Sequence, residues 1–456
     1  MTDTSVLVIG GGFSGAMTAA HLAARGVATA VIEPGVLGRG VAYAATPYPL
    51  LLNTPAAAMS ALPGAPQHFE SWLEREVAHG TPRPEATPAG VFAPRALYGD
   101  YLEDTIAELA RGRLDVIAAR ATALAPTARG FAVRCDDGRE ITTHRIVLAL
   151  GNLPARTPDA LDPATPGYLA EPYGRLAEIG LDEPVAILGS GLTALDVIAG
   201  LRARGHRGPI VCASRRGLVP TAHTAPATLA ILVPRALVRQ PRLRTLMVWW
   251  REAVDRVRDL CEAGAAEPAV IAALRPMLPT IWRRLPVADR AKFLRHVRPR
   301  WDVLRHRAPA AVRDVLDRGR AEGSVEVVAG QLVSAVRTAA GLRCQFGSSE
   351  GATLTREVRW LINCTGPERD VRRLRMPLMQ SLVAHRMLAP DPLGLGVLTG
   401  SAGQLIGEAG LVPDAFVVGP WRMADLFEAS AVPELRHHAA DTAMEIAGEA
   451  RVQATG

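Results

Sequence analysis

The chain has 456 residues, of which 48% are hydrophobic, and its formal net charge is +6. This length predicts two or three domains with sizeable cores. The absence of any run of about 18 apolar residues excludes a membrane-spanning helix, and a strand-like pattern that begins at the N-terminus leaves no room for a signal peptide.

The cysteine and charge content narrows the classes of function further. Five scattered cysteines without a Cys-x-x-Cys pair fit a reducing cytoplasm and disfavour a redox dithiol. Lys292 is the only lysine beside many arginines, so we attribute the positive charge to genomic base composition rather than to a partner. We therefore expect a cytoplasmic protein that binds neither nucleic acid nor a membrane.

The first predicted element is an apolar strand over residues 5–9, which runs into a glycine-rich turn made of Gly10, Gly11, Gly12, Phe13, Ser14 and Gly15. In such a turn the first glycine permits the sharp bend. Gly12 lets the backbone approach a pyrophosphate, and Gly15 lets the following helix pack on the strand. The helix predicted for residues 16–25 would present free N–H groups to the phosphates.

A second strand, predicted for residues 28–32, ends in Glu33. An acid at this point of a strand–turn–helix–strand unit can hydrogen-bond ribose hydroxyls. The order of these features favours a dinucleotide site over an ordinary glycine turn. Further along, the sequence predicts a helix at residues 95–109 and three strands at 114–117, 131–134 and 141–150. Proline-rich loops precede and follow this group, at residues 81–94 and 154–172.

A second glycine-rich turn follows the apolar strand at residues 185–188 and contains Gly189, Ser190, Gly191, Leu192, Thr193 and Ala194. Its helix (195–204) and next strand (209–213) lead to Arg215 and Arg216 instead of an acid. Arginines there would bind a 2′-phosphate through charge-assisted hydrogen bonds, whereas a carboxylate would repel it. We therefore expect this unit to prefer NADPH to NADH.

The remaining pattern predicts that the second unit is inserted in the first. Residues 225–315 are helical and rich in arginine and tryptophan, the strand that begins at Trp360 closes the second unit, and a buried strand (415–420) and a terminal helix (429–447) return to the first. The predicted architecture is α/β, with two Rossmann-like dinucleotide-binding domains and a helical insert. The bounds are 1–180 and 370–456 for the first domain, and 181–369 for the second.

Taken together, these motifs resemble the two-dinucleotide-domain FAD/NAD(P)-binding oxidoreductases, and in particular a bacterial FAD/NAD(P)-binding family related to class B flavin monooxygenases and N-hydroxylases. Besides the two turns, the resemblance is carried by the segments 38–43 with 52–53, 92–95 with 98–101, 148–152, 293–296 with 300–301, 362–367 and 418–420. It covers most of the chain. The long fingerprint ending in His-x-x-x-Trp that marks Baeyer–Villiger enzymes is absent.

The resemblance implies FAD on the first unit, with Glu33 at its ADP half, and NADPH on the second. It implies that residues 38–53 run beside the flavin, and that the turns near residues 151, 366 and 419 lie near the cofactors. The further cofactor-binding residues that we assign are Arg39, Tyr43, Asn53, Arg95, Gly151, Thr365, Gly366 and Gly419.

The implied chemistry begins with hydride transfer from NADPH to FAD, while the protein supplies orientation and excludes water. A monooxygenase that uses O₂ on a small molecule is the first interpretation, with nitrogen among the candidate target atoms. A reductase that passes electrons to an organic or protein acceptor, or a non-redox scaffold or sensor, remains an alternative. The assembly state is left open, a homo-oligomer included, and no metal-ligand spacing is present.

Residues 292–309 are the predicted substrate segment because they hold several arginines and two histidines. Arginine forks match carboxylates, and histidine moves protons near neutral pH. We assign candidate catalytic roles to His296 and Arg300 and expect an acidic, amino-acid-like substrate. The alternative is a solvated amphipathic helix whose arginines face the phosphates of NADPH.

Overall fold

The computed structural model describes residues 3–46, 48–226, 229–262, 264–348, 350–428 and 430–448. Ala429, the predicted start of the terminal helix, lies outside this range, as do residues 227, 228 and 263 of the predicted insert. No helix of the described residues is both long and apolar enough to span a membrane.

The first third of the chain alternates buried strands with helices. Its elements are β1 (Asp3–Ile9), α1 (Phe13–Ala24), β2 (Thr29–Ile32), α2 (His68–Ala78), β3 (Ala86–Thr87), β4 (Gly90–Val91), α3 (Arg95–Ala110), β5 (Leu114–Ile117), β6 (Ala121–Thr127), β7 (Gly130–Cys135) and β8 (Glu140–Leu148).

The middle of the chain holds a second strand–helix alternation and a run of helices. Its elements are β9 (Tyr168–Leu169), β10 (Val185–Leu188), α4 (Leu192–Ala203), β11 (Ile210–Ser214), α5 (Arg235–Arg239), α6 (Leu243–Arg258), α7 (Ala266–Leu274), α8 (Leu278–Arg284), α9 (Val287–Lys292), a π-helical turn (Phe293–Val297), α10 (Arg298–Arg305), α11 (Ala310–Ala321), β12 (Val325–Ala329), β13 (Gln331–Thr338), β14 (Gly341–Gly347), β15 (Thr353–Val358) and β16 (Trp360–Asn363). The last part contributes α12 (Pro377–Ala384), β17 (Gln404–Gly407), β18 (Gly410–Val417) and α13 (Val432–Ala447).

The two main sheets define two units. The first sheet has the order β17-β18-β8-β1-β2-β5, with β7 pairing β8 and β6 pairing β7; β1, β2, β5, β8 and β18 run parallel. The second sheet, β12-β11-β10-β16-β9, is parallel throughout. Because the first sheet takes strands from both ends of the chain and the second only from its middle, the second unit is inserted in the first, as predicted.

The helical insert forms a core of its own that also includes residues of the C-terminal part. Leu395, Met423 and Phe427 pack with buried residues of α6, α7, α8 and α10. The indole of Trp282 stacks on Phe427 with centroids 4.4 Å apart, and its Nε1–H donates to Ala424 O at 3.0 Å. The insert therefore bridges from the second unit to the first. The last six residues of the predicted range 225–315 instead begin α11, which packs in the core of the second sheet.

Candidate functional site

The first glycine turn has the close packing that its sequence predicts. Gly10 has φ +99°, and a Cβ there would lie well inside 3.0 Å of Ala149 O. A Cβ on Gly15 would likewise collide with Gly10 O. Among the described residues, the one atom within 4 Å of a Cβ on Gly12 would be Gly40 Cα, at 3.7 Å, and no side chain caps α1. The helix N-terminus is therefore open to an anion.

Glu33 follows β2 and is held beside this turn by two backbone donors. Gly11 N–H donates to its Oε2 at 2.7 Å, and Gly35 N–H donates to its Oε1 at 2.8 Å. Each carboxylate oxygen keeps a further lone pair. The position agrees with a ribose contact, which remains a prediction.

The segment after Gly38 lies on the turn through its main chain. Gly38 N–H donates to Gly11 O at 2.7 Å. The Arg39 guanidinium points instead to α3, where it forms ion pairs with Asp100 and Glu103. The ring of Tyr43 also faces α3, meeting Tyr98 edge-on at 4.7 Å. The side chains of Arg39 and Tyr43 are thus engaged within the first unit.

Arg95 was assigned to the cofactor, but its guanidinium is occupied elsewhere. Nη2 donates to Asp196 Oδ2 of α4 at 2.7 Å, and Nε donates to Leu51 O at 2.9 Å. The side chain of Asp196 is only 3% exposed. The sequence could not suggest this partner because the two residues lie 101 positions apart.

Asn53 and the predicted glycine turns at residues 151, 366 and 419 lie at the junction of the two units. Asn53 O accepts a hydrogen bond from His223 Nε2 at 3.0 Å, while its buried Oδ1 has no partner among the described residues. An unpaired buried acceptor fits a site where a bound group supplies the donor. A Cβ on Gly419, which has φ +89°, would lie 3.2 Å from Ser14 Oγ on α1.

Gly151 and Gly366 both have positive φ and open space around the Cβ position. The residues that follow the turns at Gly151, Gly366 and Gly419 line one small cleft. It is lined by Gly151, Asn152, Leu153, Pro367, Glu368, Arg369, Gly396, Pro420 and Trp421. Thr365, just before Gly366, is fixed by Asn363, whose Oδ1 accepts from its N–H at 3.1 Å and from its hydroxyl at 2.6 Å.

The second glycine turn repeats the geometry of the first. Gly189 has φ +97°, and a Cβ there would collide with Cys364 O, whereas a Cβ on Gly191 would meet no atom within 4 Å. Ser190 Oγ lies 2.7 Å from Ser214 Oγ, and Thr193 is in the first turn of α4. The N-terminus of α4 is therefore open in the same way.

Arg215 and Arg216 are exposed just beyond β11. Arg216 Nη2 donates to Arg295 O at 3.1 Å and Nη1 to His296 O at 3.5 Å, so the π-helical turn of the insert lies against this arginine. The side chains of His296 and Arg300 are exposed. Neither has an ion pair or a side-chain hydrogen bond within the described ranges. Their catalytic roles remain predictions.

A buried polar cluster lies instead at the other end of the predicted segment. We call Asp302, Arg305, His306, Arg369 and Glu428 the junction cluster. Glu428 is 3% exposed and has φ +72°, which is unusual for a residue with a side chain. Its Oε2 lies 3.4 Å from Arg305 Nε and 3.6 Å from His306 Nε2.

Several polar atoms of the junction cluster have no hydrogen-bond partner among the described residues. They are Glu428 Oε2, Arg305 Nε and Nη2, and Arg369 Nε. Native proteins rarely leave buried polar atoms unpaired, so these atoms indicate a place that a polar ligand completes. The His306 side chain is 35% exposed, which gives the cluster an accessible face.

Burial and neighbouring charges of both signs shift the pKa values of the residues in this cluster. Burial lowers the pKa of His306 despite the nearby Glu428, so the imidazole is neutral at pH 7. Burial alone would raise the pKa of Glu428, but His306, Arg305 and Trp301 together hold it below its usual value. Burial and Arg298 lower the pKa of Arg369 to about 10. The cluster thus combines the guanidinium groups of Arg305 and Arg369, the carboxyl groups of Asp302 and Glu428, and an imidazole whose pKa is lowered.

The ligand atoms of Asp302, His306 and Glu428 lie within 4.8 Å of one another, close enough to share a cation. The guanidinium of Arg305 already lies beside the same Glu428 oxygen, and it would compete with such a cation. The sequence analysis included Arg305 and His306 in the substrate segment but missed Arg369 and Glu428. Arg369 lies three residues after the predicted turn at Gly366, a signal that could have drawn attention to it, whereas Glu428 only precedes the predicted terminal helix.

The comparisons with known proteins agree with this geometry. Residues 7–153 match a family model described as FAD-NAD(P)-binding. This match confirms the predicted resemblance and the cofactor class predicted for the first unit. No curated protein matches the chain.

Several solved structures share the fold over almost the whole length. An ornithine N-hydroxylase of Kutzneria sp. 744, whose structure is described with reduced FAD, NADP⁺ and L-orn, is 14% identical, with a TM-score of 0.60 and coverage of 98% of this chain and 99% of that one. The L-lysine 6-monooxygenase of Pseudomonas syringae is 18% identical, with a TM-score of 0.63 and coverage of 98% and 100%. The bacillithiol disulfide reductase of Bacillus cereus is 13% identical, with a TM-score of 0.55 and coverage of 98% and 99%. At these identities the likeness establishes the fold, and the predicted pair of dinucleotide-binding units is confirmed.

Proposed function

We propose that this protein is an NADPH-dependent FAD monooxygenase that oxygenates a small, acidic, amino-acid-like substrate, with nitrogen as the preferred target atom. The observation that carries the proposal is the junction cluster. It gathers guanidinium and carboxylate atoms that have no hydrogen bond among the described residues. They come from the insert, from the segment after β16 and from the C-terminal part of the first unit, and Arg305 and Glu428 among them form an ion pair at 3.4 Å.

The residues present fit the two cofactors. The first glycine turn and Glu33 would hold the ADP half of FAD, and the unpaired Oδ1 of Asn53 supports a bound group beside residues 51–53. The second turn would hold the pyrophosphate of NADPH, with Arg215 and Arg216 at its 2′-phosphate. When bound, FAD supplies the transfer of reducing equivalents from NADPH to O₂.

The chain's own residues would bind and orient the substrate. Arg305 and Arg369 offer N–H donors to its carboxylate. The neutral imidazole of His306 accepts the proton that an ammonium group must lose before its nitrogen can be oxygenated, and Glu428 stabilises the resulting imidazolium. Trp301 closes one side of the cluster and donates its Nε1–H to Glu428 Oε1 at 3.0 Å.

Oxygen insertion is preferred to disulfide reduction because of the cysteines. Cys135, Cys212, Cys344 and Cys364 are buried and Cys261 is half-buried. Burial raises the pKa of Cys212 to about 12 and that of Cys364 well above its usual value, so neither is a reactive thiolate. The likeness to hydroxylases supports the same choice. The likeness to a disulfide reductase keeps electron transfer to another acceptor as the second candidate.

The test begins with anaerobic NADPH, which should bleach the flavin of the purified protein. In air, the ratio of peroxide released to NADPH consumed should fall when the correct substrate is added, and mass spectrometry should find one atom of ¹⁸O₂ in the product. We would screen ornithine, lysine, aspartate and glutamate first. Bleaching with near-stoichiometric peroxide under every condition would favour the reductase, and no bleaching would refute both.

Matched variants would test the assigned residues. Glu428→Gln should lower the amount of oxygenated product formed per NADPH consumed at least tenfold. His296→Ala, which changes an exposed histidine ten residues from His306, should leave this ratio unchanged. Arg215→Ala combined with Arg216→Ala should raise the KM for NADPH about 10- to 100-fold, because two charge-assisted hydrogen bonds are lost. The KM for NADH should hardly change. An equal effect on both cofactors would contradict the 2′-phosphate assignment.

A further inference from the structure

A buried ion pair joins the helix of the second glycine turn to the flavin-side segment of the first unit. Arg95 begins α3, and Asp196 lies in α4, three residues after Thr193. Arg95 Nη2 donates to Asp196 Oδ2 at 2.7 Å, and the two side chains are 13% and 3% exposed. Tyr173 O–H donates to the same carboxylate oxygen at 3.1 Å.

Arg95, the residue of the pair that belongs to the first unit, is held rigidly beside residues 38–53, the segment predicted to run along the flavin. Arg95 Nε donates to Leu51 O at 2.9 Å, and Arg95 N–H donates to Leu50 O at 2.7 Å. Leu52 N–H donates to Ala93 O at 2.9 Å. Asn53 follows directly, so a displacement of Arg95 would be transmitted to Asn53 through one or two residues of bonded main chain.

The same segment also packs against α4 itself. Tyr48 and Leu50 are buried in the core of the second sheet together with α4 residues. The ring of Tyr48 lies so close to Gly200 that a Cβ there would be 2.8 Å from it. The ion pair is thus a polar fixed point beside an apolar contact, because its single charge-assisted hydrogen bond holds one nitrogen against one oxygen at 2.7 Å.

We infer that Arg95 and Asp196 are positioning residues that fix the nicotinamide unit against the flavin unit for hydride transfer. The inference rests on the proposed function for its catalytic meaning. A displacement of about 1 Å in reacting groups can slow a reaction by about two orders of magnitude. A pair that sets the position of α4 relative to residues 50–53 therefore controls the reduction step without touching either cofactor.

The decisive variant is Arg95→Met combined with Asp196→Asn. It removes both charges together, so that no unpaired charge is left buried, and such neutral replacements are generally tolerated. The asparagine can still accept from Tyr173. Arg83→Met is the matched control, because it breaks an exposed ion pair with Glu74 (2.7 Å) in the same unit.

We expect the double variant to fold, to retain FAD and to be reduced by dithionite like the wild type. Flavin reduction by NADPH in anaerobic stopped-flow experiments should be at least tenfold slower, and the Kd for NADP⁺ should change less than threefold. Arg83→Met should match the wild type throughout. Wild-type reduction rates in the double variant would overturn the inference, since they would leave the pair a purely structural role.

Hydrogen–deuterium exchange gives a readout that is independent of activity. The double variant should exchange faster in residues 48–53 and in α4, while α1 stays as protected as in the wild type. If NADPH fails to reduce even the wild-type flavin, the proposed function fails, and the exchange result alone then decides whether the pair fixes the two units. Unchanged exchange in both segments would refute it.

Discussion

Replacing Gly10 by alanine tests whether close packing at the first turn is what builds the cofactor site. Gly10 has φ +99°, and the new Cβ would lie well inside 3.0 Å of Ala149 O and 3.0 Å from its carbonyl carbon. The backbone strain costs about 1–3 kcal/mol. Because Ala149 follows directly on β8, whose last residues pair with β1, relief of the clash must move main chain and costs about another 1–3 kcal/mol.

Gly26→Ala is the matched control for this substitution. Gly26 also has positive φ, +76°, but no atom lies within 4 Å of its Cβ position, so it incurs only the backbone strain of about 1–2 kcal/mol. We therefore expect Gly10→Ala to lower the free energy of unfolding by about 1–3 kcal/mol more than Gly26→Ala does.

The two variants should differ more sharply in cofactor binding. Moving the turn by several tenths of an ångström misplaces the N–H groups of α1, and a loss of about 1.4 kcal/mol is already tenfold in affinity. Urea denaturation of the apoproteins and fluorescence titration with FAD would measure both effects. If Gly10→Ala bound FAD as tightly as Gly26→Ala and were equally stable, the argument from close packing would be wrong.

Two further predictions concern buried polar groups. Trp301→Phe should destabilise the fold by about 1–3 kcal/mol more than Trp249→Phe in urea denaturation, because Trp301 Nε1–H bonds to buried Glu428, whereas Trp249 Nε1 has no partner among the described residues; equal losses would argue against this bond. Burial lowers the pKa of His21 to about 4, so between pH 6.5 and 4 the unfolded chain binds a proton that the folded chain does not. Stability is therefore lost as the pH falls through this window, and His21→Gln should reduce the loss between pH 7 and 5 by about 2 kcal/mol; an unchanged pH dependence would contradict it.

The sequence predicts the two nucleotide units well because their signals are local. Each glycine turn, its helix and the charged residue after the next strand lie within about 25 residues, and the structure has the two strands of each such unit within two residues of the predicted bounds. The strand predicted at 415–420 is instead β18, which begins five residues earlier and ends at Val417. Helix α2 escaped prediction although Phe69, Trp72 and Leu73 bury one face at helical spacing. The pairing of the antiparallel sheet β13-β14-β15 was not predicted.

The side-chain partners could not be predicted from the sequence. Arg39 and Arg95 are arginines in segments that border a cofactor site, and by residue type alone they suit phosphates. Their partners Asp100, Glu103 and Asp196 become visible only when α3 and α4 are packed. The residue type limits which groups a side chain can bind, whereas the fold determines which of those groups lies next to it.

The docking of the insert explains why the junction cluster forms at its C-terminal end and not at His296. Trp282 and Phe427 stack across the boundary between the insert and the first unit, and Trp301 reaches Glu428 on the same side. These contacts press α10 against residues 424–428, so Arg305 is largely buried and His306 partly buried beside a carboxylate from the first unit. In the π-helical turn, Phe293 packs on Trp301 and Phe427, whereas the backbone carbonyls of Arg295 and His296 accept from Arg216. The helical segment from His296 to His306 therefore contacts both dinucleotide-binding units. Its charged side chains are exposed at one end, and at the other end they form the junction cluster, in which several polar atoms have no hydrogen bond among the described residues.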